Sequence, residues 1–148
     1  ALTGGAGEAP LAAEVARRMR QRAIDLAGRT DLWTVGALVE AAAVVVTNDT
    51  GMSHVAAAIG TPSVVVSSGS DVARWAPLDG QRHACLWQDL PCRPCMHERC
   101  PLARHECAES IRPEDVAFAA LRQAALGAAR TGHADCPQGS DGIPAVEP

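Results

Sequence analysis

Val44-Val45-Val46-Thr47-Asn48-Asp49-Thr50-Gly51-Met52-Ser53-His54 reads as a strand that passes directly into a helix. The three consecutive valines show no polar alternation. Continuous β-branched runs of this kind belong to strands buried on both faces, which is the situation in a parallel sheet. Asn48-Asp49-Thr50-Gly51 supplies turn residues, and Met52 to Ile59 a short helix closed by Gly60-Thr61-Pro62. Ser63 to Val66 then repeats the buried-strand pattern, which predicts that the two strands are adjacent inner strands of one sheet.

Working upstream, Asp31 suits the cap of a helix from about Leu32 to Ala42, with Leu32, Val35, Leu38 and Val39 inward. Leu2-Thr3 reads as the end of a strand, so the chain reads as a fragment that begins inside a domain. Gly4-Gly5-Ala6-Gly7 is a turn. A helix is expected from Glu8 to Ala27, with Pro10 in its first turn, Leu11, Val15, Met19 and Leu26 inward, and Gly28 as its stop. Downstream, Ser68 to Asp71 is loop and Ala84 to Trp87 a last strand. A Cys- and Pro-rich loop covers 91–107, and a helix from Pro113 to Ala129 carries Val116, Ala120, Leu121 and Leu126 inward. The alternation of strands and helices predicts one α/β domain over 1–129, a Rossmann-like open parallel sheet. The tail 130–148 has the composition of a disordered segment.

Composition agrees with that class. In 148 residues, 47% are hydrophobic but only 3% aromatic, so Ala, Val and Leu must fill the core. Net charge is −4, and the 13 Lys and Arg form no basic stripe, which argues against a nucleic-acid partner. Arg17, Arg18, Arg20 and Arg22 read as a solvated helix face. No apolar run approaches the roughly 20 residues of a membrane span, and no signal peptide is visible. Trp33, Trp75 and Trp87 read as packing residues.

The chemistry-bearing constellation is the turn at Asp49–His54. It lies at the carboxyl end of a parallel strand, where ligands bind in such sheets. The N–H groups of Thr50, Gly51 and Met52 are expected to point outward at the positive end of a helix, a seat for a diphosphate. Gly51 lets backbone approach the ligand, His54 lies one turn along to donate to a phosphate oxygen, and Asp49 is placed to take sugar hydroxyls. Ordinary turn chemistry is the competing reading. The Gly4–Gly7 turn lacks both the spacing of a dinucleotide fold and the lysine of a P-loop. Cys92-x2-Cys95-x4-Cys100-x6-Cys107, with His105 as a second choice of fourth ligand, has zinc-knuckle spacing. Zinc, disulfides and free thiols all stay open for it, and Cys85 and Cys136 stand apart.

The stretch from Thr47 to Pro62 resembles the signature of family 9 glycosyltransferases, the ADP-heptose:lipopolysaccharide heptosyltransferases. Leu2–Glu8, Ala27–Leu32, Arg74–Pro77 and the cysteine pattern are similar to that family in order and spacing. The resemblance implies the C-terminal, donor-binding half of a two-domain GT-B enzyme. It implies that Asp49, Thr50, Gly51 and His54 hold the donor diphosphate and sugar, that Glu8 takes the ribose hydroxyls, and that backbone near Thr30 meets the base. The catalytic base, an Asp, would lie in the missing N-terminal domain, and transfer would be inverting and need no metal cofactor. The implied substrates are a nucleotide-diphosphate sugar, ADP-heptose, and a saccharide or glycolipid acceptor. The implied setting is the cytoplasm, where disulfides are disfavoured, with room for a peripheral membrane contact. A non-catalytic Rossmann-like module with a metal-binding Cys loop for partner interaction is the alternative, and another GT-B enzyme, such as a sugar-nucleotide epimerase, a third reading.

Overall fold

The computed structural model describes residues 1–97, 99–102 and 104–131. Three strands, Val45–Asn48 (β1), Ser63–Val66 (β2) and His83–Leu86 (β3), form a parallel sheet in the order β1-β2-β3. Their registers run level, Val45 beside Ser63 and Ser63 beside His83. Around them lie a 3-10 turn (Ala6–Glu8) and helices α1 (Ala9–Arg18), α2 (Leu32–Ala41), α3 (Gly51–Ile59), α4 (Val72–Trp75), α5 (Glu106–Glu109) and α6 (Pro113–Thr131).

β2 is the buried centre. Ser63, Val64 and Val65 have no solvent-accessible surface. Successive strand residues point to opposite faces, so burial of both valines means that both faces are covered; α3 and α6 pack on this strand. Each buried valine contributes on the order of 2 kcal/mol. β1 departs from expectation. It starts one residue late and lies at the sheet edge among the described strands, not inside. Val45 joins Val35, Val39, Met52, Val55 and Ala56 in the α2–α3 core. Val46 points the other way and is 52% exposed, because α6 lies mainly over β2.

The first helix is also shorter than its periodicity predicts. It ends at Arg18, and Met19 is extended. Leu2 instead pairs in parallel with Asp25. The N–H of Leu2 donates to Ile24 O (2.8 Å), that of Leu26 to Leu2 O (2.9 Å) and that of Gly28 to Gly4 O (2.8 Å). Strand pairing has overridden the helical pattern beyond Arg18; within α1, Leu11 and Val15 are exposed, against expectation, and Ala12 is the buried residue. Gly28 therefore stops no helix. It sits in the following turn at φ +70°, where a Cβ would lie 2.9 Å from Ala6 Cα. Arg17 and Arg18 both pair with Glu14 at 2.7 Å on the open surface.

Other boundaries follow their capping chemistry. Asp31 Oδ1 accepts from the Thr34 N–H (2.7 Å) at the start of α2, and hydrogen bonds from Thr34 hold its carboxyl below the usual carboxylate range. Leu32 is nevertheless exposed, while Val35 and Val39 are buried. Gly60 ends α3 in the left-handed conformation. Asp71 caps α4, accepting from the Ala73 N–H (3.1 Å), where the sequence suggested only loop. In α6 the expected inward Leu121 and Leu126 are exposed, and Gln123 is buried instead. Its amide reaches the carbonyls of Gln81 (3.1 Å) and Arg82 (3.3 Å), which binds α6 to the approach of β3. The helix runs two residues past the expected Ala129. From residue 132 onward, the disorder expected of the tail lies outside the described residues, as does Cys136. Among the described residues no helix is long and apolar enough to cross a membrane.

At the start of the sheet, buried Ser63 Oγ and His83 Nδ1 are 2.9 Å apart. Burial holds the His83 pKa below its ordinary 6.5; nearby Asp79 opposes the shift and Arg82 adds to it. Below about pH 6.5 the unfolded chain thus takes up a proton that the native state resists. Stability present at higher pH is lost as pH falls. Urea midpoints should drop between pH 7.5 and 5.5, and drop less in His83→Gln. An equal drop in the variant would show that His83 is not the group responsible.

Candidate functional site

The level register places the carboxyl ends of all three strands at one edge. At that edge the Asp49 N–H donates to Val66 O (3.1 Å) and the Ser67 N–H to Leu86 O (2.9 Å), extending the ladder one residue past each strand. Asp49 is half-buried. The Ser70 hydroxyl, from the loop after β2, donates to Asp49 Oδ2. Ser70 Oγ is in turn 2.7 Å from Ser67 Oγ, and Ser67 is fully buried.

A residue that sequence reasoning did not single out completes this network. Arg93, from the Cys-rich loop, donates to Ser67 O (2.9 Å), Ser68 O, Ser70 O (2.7 Å) and Ser67 Oγ (3.2 Å). Its guanidinium also lies 5.5 Å from the centre of the Trp87 ring. The available signal was Ser67-Ser68-Gly69-Ser70 directly after a buried strand, at the same sheet edge as Asp49.

Beside Asp49, α3 begins at its N-cap Thr50, whose side chain makes no capping hydrogen bond. Thr50 differs from expectation, since its N–H turns back to Asn48 O (2.9 Å) and does not point outward. Gly51 and Met52 occupy the first turn of α3, where helix geometry provides no backbone acceptor for an N–H. A Cβ on Gly51 would meet nothing within 4 Å. Glycine there leaves space beside the backbone; no positive φ requires it. His54 is exposed one turn along, edge-on to Trp75 with ring centres 6.2 Å apart and planes at 62°. Arg74 lies 5.0 Å over the other partner of that contact, Trp75. The rim thus combines helix N–H groups, a carboxylate fixed by a hydroxyl, an imidazole and a guanidinium. Such a set can take an anionic group and a polyol side by side.

Glu8 and Thr30 lie on or next to two neighbouring turns, which are joined by the Gly28-to-Gly4 hydrogen bond and the close approach of Gly28 to Ala6. Glu8 Oε2 accepts from the Gly5 N–H (2.7 Å) and so closes its own 3-10 turn. Thr30 Oγ1 is buried without a hydrogen-bond partner among the described residues, an arrangement that native proteins rarely leave unused.

The tryptophans are not core residues. Trp33 is 87% exposed, and Trp75 and Trp87 present their faces to arginines. Cys85 on β3 is half-buried; burial and, next, the Asp49 charge push its thiol up, against a downward pull from Arg93. It stays a protonated thiol near neutral pH, not a nucleophile. Cys92, Cys95, Cys100 and Cys107 line one cavity of about 210 Å³ with His97 and His105. All five described cysteines are free. Among the described residues no three His, Cys, Asp or Glu side chains converge as metal ligands. A larger open groove, about 940 Å³, lies at the opposite end of the sheet between Pro62, Arg82, Gln123 and Leu126, away from Asp49 and His54.

Known proteins share this arrangement of elements. The sequence profile of glycosyltransferase family 9 (heptosyltransferase) matches residues 1–105. Two proteins named lipooligosaccharide heptosyltransferase 2, from Campylobacter jejuni subsp. jejuni serotypes O:6 and O:2, are each 28% identical over 120 residues, covering 78% of this chain and 38% of theirs. The crystal structure of a family 9 glycosyl transferase from Veillonella parvula DSM 2008 matches the fold with a TM-score of 0.69 at 20% identity, over 84% of this chain and 36% of that one. The chain thus spans little more than a third of the length of these relatives.

The open space at Gly51 separates a structural from a ligand-related need for glycine. Gly51→Ala should leave the urea midpoint unchanged or raise stability by up to about 1 kcal/mol. A clear loss of stability would mean that the turn itself demands glycine.

Proposed function

The chain belongs to glycosyltransferase family 9 (heptosyltransferase), and on that premise we propose that its β1–α3 turn binds the diphosphate and sugar of a nucleotide-sugar donor. The observation that carries this reading is the pairing of the uncapped α3 N-terminus with a carboxylate held beside it by Ser70. The N–H groups of Gly51 and Met52 receive the diphosphate. Asp49 accepts from sugar hydroxyls. Glu8 takes the ribose hydroxyls, and backbone near Thr30 meets the base, a reading supported by the Thr30 hydroxyl, buried without a partner among the described residues. The donor in this proposal is ADP-heptose and the acceptor a saccharide or glycolipid.

The reaction is glycosyl transfer with inversion, without a metal cofactor, in a two-domain GT-B enzyme at the cytoplasmic side of a membrane. This chain serves as the C-terminal, donor-binding half. A base in the other domain removes the proton of an acceptor hydroxyl. That oxygen bonds to the anomeric carbon as the bond to the diphosphate breaks, and the leaving nucleoside diphosphate keeps the electron pair. His54 and the α3 N-terminus meet the negative charge that grows there. The 148 residues alone bind donor weakly and transfer nothing in this scheme. The position of β1 at the sheet edge among the described strands supports this reading, since an unpaired edge is a place for further polypeptide to add.

Titration with ADP and UDP tests the binding reading, since a non-catalytic scaffold should bind neither. In an enzyme that carries both halves, Asp49→Ala should weaken donor use by about 2–3 kcal/mol through loss of a charged hydrogen bond. His54→Ala should lower kcat more than donor affinity. Thr50→Val should cost little, because the Thr50 N–H is already committed to Asn48. Steady-state transfer rates, after circular dichroism confirms folding, check all three. Wild-type rates in both the Asp49 and His54 variants would make this segment only a turn.

A further inference from the structure

We propose that Arg93 is a positioning residue that sets the sugar-facing carboxylate of Asp49 through two serine hydroxyls. The direction of the protons carries the argument. Ser70 has one hydroxyl proton, and it goes to Asp49 Oδ2, since a carboxylate can only accept. In its 2.7 Å contact with Ser67, Ser70 must therefore be the acceptor and Ser67 the donor. Ser67 Oγ then has a lone pair left, which accepts from Arg93 Nη2 at 3.2 Å. The result is a one-way chain from guanidinium to hydroxyl to hydroxyl to carboxylate. Every link donates toward Asp49, so no hydroxyl can reverse without leaving a donor facing a donor. It engages Oδ2; no described residue takes Oδ1, the oxygen left for a ligand hydroxyl.

Arg93 also holds the loop on which the two serines stand. The carbonyls of Ser67, Ser68 and Ser70 converge on its guanidinium. Three carbonyl dipoles aimed at one point repel each other unless a cation occupies it. A planar fork of five donors satisfies all three as well as a hydroxyl, which a lysine cannot do in fixed directions. The Cys-rich loop is fastened to the same place a second time, where the Cys95 N–H donates to Gly69 O (2.7 Å). A Cβ on Gly69 would be 3.0 Å from Cys95 Cβ, so the approach leaves little room for a side chain. The role of the Cys-rich loop in this structure is thus to bring Arg93 under the Asp49 site.

The inference rests on the donor reading of Asp49, and its test separates the two. The 148-residue chain and its Arg93→Lys and Ser70→Ala variants are titrated with ADP and with ADP-heptose by calorimetry, with melting curves to confirm folding. Both variants should lose about tenfold in affinity for ADP-heptose and stay within about twofold of the parent for ADP, because only the sugar meets Asp49. Placed on Asp49→Ala, Arg93→Lys should add less than about twofold. Ser70→Ala leaves Arg93 and its loop contacts in place, so it reports on the relay even where an Arg93 variant folds poorly. Equal losses for ADP and ADP-heptose, full additivity with Asp49→Ala, or unchanged ADP-heptose affinity would each overturn the positioning role alone. A parent chain that binds neither ligand would overturn the donor reading, and the role built on it with it.

Discussion

The structure depends on the burial of β2 between two layers of helix. Val64 and Val65 point to opposite faces and both are inaccessible, which forces α3 and α6 onto the sheet and leaves β2 no freedom to slip. A one-residue slip would exchange every side chain between the faces. The register is therefore fixed, and with it the level ends of β1, β2 and β3. Asp49, Ser67 and Trp87 each follow the last residue of a strand, so the register sets their relative positions before any ligand is considered.

Two opposite electrostatic features then share one sheet edge. The start of α3 presents partial positive charge, and the carboxylate of Asp49 stands next to it. The uncommitted helix N–H groups lie at Gly51 and Met52, while Asp49 is committed to Ser70 and is not drawn onto the helix as a cap. The Ser67–Ser70 loop keeps the two apart. Arg93 in turn stabilises that loop by donating to its carbonyls, which gives the Cys-rich loop a physical function of its own.

The site was legible in sequence only where it is local. Val44 to His54 announces a strand, a turn and a helix start within a few residues, and the Asp31 and Gly60 caps are short-range chemistry as well. Arg93 was hidden because its partners lie 23 to 26 residues away. Nothing in Pro91-Cys92-Arg93-Pro94-Cys95 distinguishes an anchoring arginine from a solvated one. The cysteine spacing drew attention to the right loop for a different reason.

By itself the sequence determined the parallel α/β class, the Asp31 and Gly60 caps and the family, since these follow from local apolar runs, turn residues and a contiguous signature. Tertiary structure decided what depends on distant partners. It ended α1 at Arg18 by pairing Leu2 with Asp25, put β1 at an edge among the described strands, and buried Gln123 where leucines had the stronger intrinsic claim. It also ran the hydroxyl chain from Arg93 to Asp49. Periodicity reports which face of a segment is apolar; which neighbour covers that face, and which donor meets which acceptor, is settled only when segments far apart in the chain compete for the same space.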